Sequence, residues 1–489
     1  MARVNLLGQP YAGKSGIASA QQAINVYAQS NKDAVQAPAP ITYYQFPGSE
    51  LFATPLTEGI NRCTYRTSIG TAYTVIGPAI YLSQSNGALI FVGSIPDRAS
   101  QVYMADNGLA VVIVDGSDIG YAINMATNSF GPIIDPSFYG ADFVVFLDTF
   151  FVFNRPSTNQ FYISLSMVSY ALLTAGTSFD PLDIAAKAGS ADPIVGIYTT
   201  HKELGLVGEL TTEVWIGTGA ADFYFQQVQG AYIDHGCAAQ YSIASQDVLT
   251  FWLMQDKQGS GIVVQAIGYE IKEISTPYLV DRFKAFDTMS DAIGMCLQLQ
   301  DCAFYIIVFP TANETWCYSL NTGYWSQLGK WNLTTGTFDR LRANCCMFAH
   351  GFNLIGDYST GNLCKLDPSL FTDMGDPIKW VRTFIHMVGP NFQRIAYKNC
   401  ILDMEVGNSE QADEDEASPM VELDWSDDRG KTFGIPLQQS LGRQGEYLTT
   451  PSFWRLGMAR DRIFRASWTA PVKTALNGAF VNEPVAART

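Results

Sequence analysis

Charge is scarce in this chain. Only 16% of its 489 residues are Asp, Glu, Lys or Arg, well below the usual quarter, which leaves little material for long solvent-exposed helices. Histidine is scarcer still: His201, His235, His350 and His386 are scattered and form no sequence cluster for acid–base or metal chemistry. No apolar run approaches the roughly 20 residues of a membrane span. The longest, Phe143 to Leu147 with Phe150 to Phe153, is interrupted by Asp148 and reads as two buried strands. The opening residues lack the apolar core of a secretory leader, and no Gly-x-Ser-x-Gly nucleophile elbow occurs. Nine cysteines, an odd number, fit reduced thiols folded in a cytoplasm. Cys345, Cys346 and His350 lack the paired spacing of a zinc site. No residue is assigned as catalytic, cofactor-binding or metal-ligating.

What is abundant is strand and turn material: 42 Gly, 24 Tyr, 13% aromatic and 47% hydrophobic residues. The length allows two or three domains with a large core. The net charge of −16 is uneven: residues 57–374 carry −15, residues 375–428 carry −8, and residues 429–489 carry +6. An acidic body does not grip nucleic acid through its phosphates. The basic end suits an acidic protein surface or phosphates.

From about residue 57 to 370, apolar strand clusters recur every 40–50 residues: Tyr73–Phe91, Val111–Ile123, Val144–Ile163, Leu206–Phe225, Leu249–Ile271, Tyr305–Trp325 and Phe348–Leu366. Turn residues such as Asn86-Gly87, Asp115-Gly116 and Gly323 sit between their strands. A strand-only repeat of this period predicts a β-propeller of six or seven blades; a β-sandwich series is the alternative. The expected organisation is all-β. Residues 1–56 form an arm with platform strands, residues 57–374 the propeller, and residues 375–489 a carboxy-terminal β-platform. Within it, residues 28–42 read as an extended arm and residues 410–419 as an acidic loop. One helix is expected, starting at Asp180-Pro181 and running to Ala188.

Two short motifs invite enzymatic readings. Gly8, Gly13, Lys14 and Ser15 satisfy G-x-x-x-x-G-K-[ST], a phosphate-binding loop. That reading requires a buried strand before it and a helix after it, and the flanking residues supply neither well. Val111 to Asp115 mimics a magnesium-holding strand, but Asp115-Gly116 reads as a turn. Ser426, Asp428, Gly430, Thr432 and Phe433 fit the Asp-box of sialidase propellers, a folded-turn marker without catalytic role. A nucleotidase and a carbohydrate-active propeller (sialidase-like or depolymerase) are therefore the enzymatic alternatives.

Tyr11, Lys14, Ser15, Gln21 and the triplet Asn25-Val26-Tyr27 together resemble the amino terminus of the packaged-DNA stabilisation, or tail nozzle (tail hub), proteins of short-tailed bacteriophages. Pro47-Gly48 followed by Leu51 resembles that family's Pro-Gly-Leu turn, with a two-residue departure. The likeness resumes at the end, with Gly442, Glu446 and Tyr447, then Trp454, Arg455, Gly457, Arg460, Arg462 and Arg465. It covers roughly the first 55 and last 115 residues. It implies a non-enzymatic virion protein of the tail, folded in the host cytoplasm, with six copies around the tail axis. The implied partners are the portal–adaptor protein, tail fibres, spikes or needle, and packaged DNA that passes without sequence-specific binding. Tyr11, Lys14, Asn25, Tyr27, Arg455, Arg460, Arg462 and Arg465 become assembly-interface candidates; a solvated edge strand is the plainer reading of the four arginines.

Overall fold

The computed structural model describes residues 3–31, 40–220, 222–256, 259–409 and 418–482. The acidic loop at 410–419 lies mostly outside them, as do residues 32–39 of the expected arm. The ends of that arm are not loose. Val26–Ser30 and Ile41–Gln45 pair antiparallel, with Val26 opposite Gln45 and Ser30 opposite Ile41.

Seven four-stranded antiparallel units follow one another, and each contains one of the seven strand clusters. Blade 1 starts at Asn61–Arg66, blade 2 at Tyr103–Asp106, blade 3 at Val144–Leu147 and blade 4 at Ile194–Thr200. Blades 5, 6 and 7 start at Ala244–Gln246, Ile293–Leu299 and Ala343–Ala349. An apolar core fills each gap between successive blades. Cys63, Val75 and Ile113 join blades 1 and 2; Phe161, Leu206 and Trp215 join blades 3 and 4; Phe251 and Tyr305 join blades 5 and 6. Met347 and Leu354 of blade 7 meet Ala72 of blade 1, and Asn344 Nδ2 donates to Asn61 O across the same gap at 2.8 Å. The ring closes at seven blades because no blade can cover both of its own faces.

The outer strand of blade 7 is Gly48–Ala53, which pairs antiparallel with Leu363–Asp367. The amino-terminal segment expected in the platform thus also supplies the strand that completes the last blade. Clasping first and last blades with one chain segment resists opening of the ring.

The platform is a two-sheet sandwich. One sheet runs Val26–Ser30, Ile41–Gln45, Ala475–Asn482, Asn399–Met404, Ser452–Trp454; the other contains Trp380–Val388, Asp461–Trp468, Met420–Ser426 and Leu437–Ser440. Between them lie Leu6, Val26, Tyr43, Trp380, Phe384, Leu402, Phe464 and Trp468, all fully buried or nearly so. Ala23–Ile24 joins this second sheet to blade 6, pairing parallel with Gln327 on one side and antiparallel with Val381 and Arg382 on the other. Blade 6 and half the platform are therefore one continuous nine-stranded sheet.

The helix expected at Asp180 is instead a strand, Phe179–Ala186, the outer strand of blade 3. Asp180 Oδ1 accepts from the Leu182 N–H at 2.9 Å, a local turn bond that imitates a helix cap. The need for a fourth strand overrides the local signal. Helices occur at Tyr170–Ala175 and at Pro277–Lys284, the latter capped by Thr276 with proline at its first turn. No helix among the described residues is long and apolar enough to cross a membrane.

Candidate functional site

The residues singled out at the amino terminus converge on the joint between propeller and platform. Asn25 lies at its centre, buried and in the left-handed region at φ 56°. Its Nδ2 donates to Gly329 O of the blade 6 side (2.8 Å) and to Lys379 O of the platform side (2.9 Å). Its Oδ1 accepts from Gly329 N–H at 2.8 Å. The backbone is engaged too, Asn25 N–H to Gln327 O and Phe46 N–H to Asn25 O. Asparagine suits this position because it tolerates left-handed backbone and offers two donors and an acceptor on one short side chain. Val26 enters the platform core. Tyr27 turns toward blade 6, its ring edge-on to Phe304 at 5.2 Å, and burial pushes its hydroxyl pKa well up.

Arg382 is a second hub. It is fully buried, lies 4.7 Å over the Tyr43 ring, and donates to Gly8 O and Gln21 Oε1 at 2.9 Å each. Burial lowers its pKa, with Tyr43 opposing that effect. The guanidinium thus orders residues 8–22 through their carbonyls, not through a carboxylate. His386 fastens the same loop. Its two ring nitrogens face acceptors, Asp461 Oδ1 at 2.8 Å and Gly16 O at 2.7 Å.

This arrangement excludes a phosphate-binding loop. The strand before residues 8–15 ends at Asn5, and the next element is Ala23–Ile24, a strand and not a helix. Gly13 N–H is spent on Ser19 O at 2.8 Å. Lys14 pairs with Asp281 at 2.9 Å on the surface. Asp115 caps its own turn by accepting from Ser117 N–H at 3.1 Å.

The carboxy-terminal arginines divide. Arg462 is buried, bidentate to Asp427 at 2.6 and 2.7 Å, and enclosed by the Tyr397 and Trp425 rings at 4.8 and 5.0 Å. Arg465 pairs with Asp424 and lies 3.8 Å over Phe433. Arg455 and Arg460 are exposed, as are Tyr11 and Lys14. Asn25, Tyr27 and Arg462 therefore act inside the subunit, a correction to their reading as surface contacts. The Asp-box forms the turn expected of it. Asp428 accepts from Ser426 and Thr432 hydroxyls at 2.6 Å each and from Lys431 and Thr432 N–H groups. Those bonds hold its pKa well below the usual carboxylate range.

The first strands of blades 1, 2, 5, 6 and 7 line an axial cavity of about 300 Å³, with Arg62, Tyr65, Tyr103, Met104, Tyr241 and Met295 among its walls. Among the described residues no group of three or more His, Cys, Asp or Glu has the placement to hold a metal ion. Sequence reasoning missed Arg382, His386 and Gly329; none carries a local motif, and each matters through partners hundreds of residues away.

No curated protein sequence matches the chain. Among solved structures, the WD40 β-propeller domain of Doa1 overlaps with TM-score 0.40 and 11% identity, over 66% of this chain and 97% of that one. YCF48 bound to D1 peptide overlaps with TM-score 0.40 and 11% identity, over 68% of this chain and 100% of that one. The computationally designed Ika8 protein gives 0.38 and 9%, over 65% and 100%. Such overlaps bear on neither function nor detail. The family profile described as bacteriophage P22 Gp10, β-propeller, matches residues 24–370, from the joint through the clasped ring. The chain belongs to that family of phage packaged-DNA stabilisation proteins and is a phage structural protein.

Proposed function

We propose that the chain is the tail nozzle, or hub, of a short-tailed phage. Six copies surround the tail axis, dock below the portal–adaptor assembly, close the exit after packaging and pass the genome on ejection. The observation that carries this reading is the family match over residues 24–370, joined to a platform built from the two terminal segments that resemble nozzle proteins. In this reading DNA passes between copies, along their outer walls, and not through a propeller. The −15 charge of residues 57–374 suits such a wall, because like charge keeps phosphates from adhering. Fibres, spikes or a needle attach to the same assembly, and of the assembly-interface candidates Tyr11, Lys14, Arg455 and Arg460 are the exposed ones.

Cryo-electron microscopy of the tail, with mass photometry of the nozzle–adaptor complex, tests this. A six-copy ring with an open axis is the expected result. Single copies bound to adaptor, or tight salt-sensitive binding of duplex DNA by the protein, would refute it.

A further inference from the structure

One strip of platform surface is built unlike the rest. Main-chain pairing fixes its layout: Gly389 N–H donates to Arg460 O, and Arg455 N–H to Lys398 O, both at 2.9 Å. Ala396 lies opposite Met458, and Asn399 opposite Trp454. Four large apolar side chains stand in solvent along it: Trp454 is 61% exposed, Phe392 57%, Met458 53% and Val388 43%. Between them lie Arg394, Lys398, Arg455 and Arg460, all exposed, with no Asp or Glu among residues 388–400 or 452–460. Elsewhere in the platform Arg429 pairs with Asp461, Arg462 with Asp427 and Arg465 with Asp424, and Arg382 is held by carbonyl groups. Among the described residues the four cations of the strip form no ion pair. Phe392 follows Asn391 in left-handed backbone, at φ 56° and 50°. That conformation disfavours a bulky L-residue, so folding alone would select glycine or a polar side chain at the tip. The chain instead holds an aromatic ring out in water.

We infer that this strip docks on the propeller of a second copy of this chain, at the outer strand of blade 3; the inference rests on the ring reading above. That strand, Phe179–Ala186, presents the complementary pattern. Asp180 and Asp183 flank Leu182, which is 79% exposed. Neither carboxylate forms an ion pair among the described residues. Burial, and then the neighbouring charge of Asp180, push the Asp183 carboxyl above its ordinary range, and an incoming cation relieves that. Cations around an aromatic ring on one surface thus match carboxylates around a leucine on another. A two-fold contact of the strip with itself would set cations against cations. The contact is therefore heterologous, the kind that repeats head to tail and closes into a ring.

The test compares wild type, Lys398→Glu/Arg455→Glu, Asp180→Lys/Asp183→Lys and the four-fold combination, each assembled with the adaptor and weighed by native mass spectrometry. Circular dichroism and thermal melting check the fold of each. Either reversed pair is expected to raise the concentration needed for ring formation at least tenfold, and the combination to restore it. Phe392→Ser should melt no lower than wild type and still assemble more weakly. Rings unchanged in the reversed pairs would overturn the docking surface and leave the ring reading standing. Loss without restoration would remove blade 3 as the partner and overturn the inference. Wild type bound to adaptor only as single copies would overturn the ring reading and the inference with it. A Lys398→Glu/Arg455→Glu protein that keeps its rings but loses saturable binding to duplex DNA, or to phosphatidylserine vesicles, would overturn the inference and assign the strip to phosphates.

Discussion

Asn25→Ala is the sharpest probe of the joint. The substitution deletes two donors and one acceptor at once, leaving Gly329 O, Lys379 O and Gly329 N–H without their side-chain partner. Each buried group left unpaired costs about 1–3 kcal/mol. Alanine at the left-handed φ of 56° adds about 1–2 kcal/mol. Losses around one site are not additive, so the expected destabilisation is about 3–6 kcal/mol, a large part of a typical folding free energy of about 5–15 kcal/mol. Asn25→Gly keeps the backbone and loses only the bonds, so it should recover about 1 kcal/mol. Equilibrium urea unfolding followed by tryptophan fluorescence reads this well, because Trp331 and Trp380 lie beside the joint. An alanine variant destabilised by less than about 1 kcal/mol would refute the claim that this side chain holds propeller to platform. An order of stability with glycine well below alanine would refute the role of the left-handed backbone.

Lys14→Arg should fold and assemble as wild type, since an exposed ion pair with Asp281 contributes at most about 1 kcal/mol; calorimetry should detect no ATP–magnesium binding, and turnover lost in the variant would reverse the structural reading. Arg462→Ala should destabilise by about 2–4 kcal/mol, because it strips Asp427 and empties the Tyr397–Trp425 enclosure, whereas Arg460→Ala should stay within about 0.5 kcal/mol; equal effects in chemical denaturation would show that the buried and exposed arginines had been misassigned. At Asp192 burial opposes ionisation, but the Lys187 ammonium, the Leu210 N–H and the Ser190 and Thr211 hydroxyls outweigh it and hold the pKa below the usual range. The unfolded chain therefore takes up the proton first, so this stabilisation is complete above about pH 5 and fades as pH falls toward the folded value. Asp192→Asn should accordingly show a shallower loss of stability between pH 5 and pH 2 than wild type, and parallel pH curves would contradict the assignment.

The blades are legible in the sequence because each is a chain-local meander: strand, turn and next strand lie within about 40–50 residues, and apolar runs mark them. The closing strand of blade 7 is not, since Gly48–Ala53 pairs with Leu363–Asp367 more than 300 residues away, and no local pattern encodes that meeting. Asp180-Pro181 and Thr276-Pro277 carry the same start signal of capping residue and proline. The first opens a strand and the second a helix, because blade 3 lacks a fourth strand at that point and blade 5 already has Glu270–Glu273. At the joint and within the platform, sequence resemblance selects Asn25, Tyr27 and Arg462 but not their direction. Whether a polar residue turns outward to a neighbour or inward to a carbonyl depends on distant segments, here Gly329, Lys379 and Asp427.

One amino-terminal segment enters every part of the structure. Arg3–Asn5 edges the platform, Ala23–Ile24 bridges to blade 6, Val26–Ser30 and Ile41–Gln45 build the sandwich, and Gly48–Ala53 completes the ring. Propeller and platform are therefore not two bodies on a linker. The nine-stranded sheet crosses between them without interruption, so a hinge at this point would have to break main-chain bonds on both sides of Ile24 and the three side-chain bonds of Asn25 together. Domain motion is the ordinary expectation where an interface is small and polar; here hydrogen-bonded backbone and a shared apolar core oppose it. The proposed nozzle role then carries an expectation about its gate. If the exit opens and closes, the movement belongs between copies, at surfaces such as the cationic strip of the platform, while each copy turns as a rigid piece.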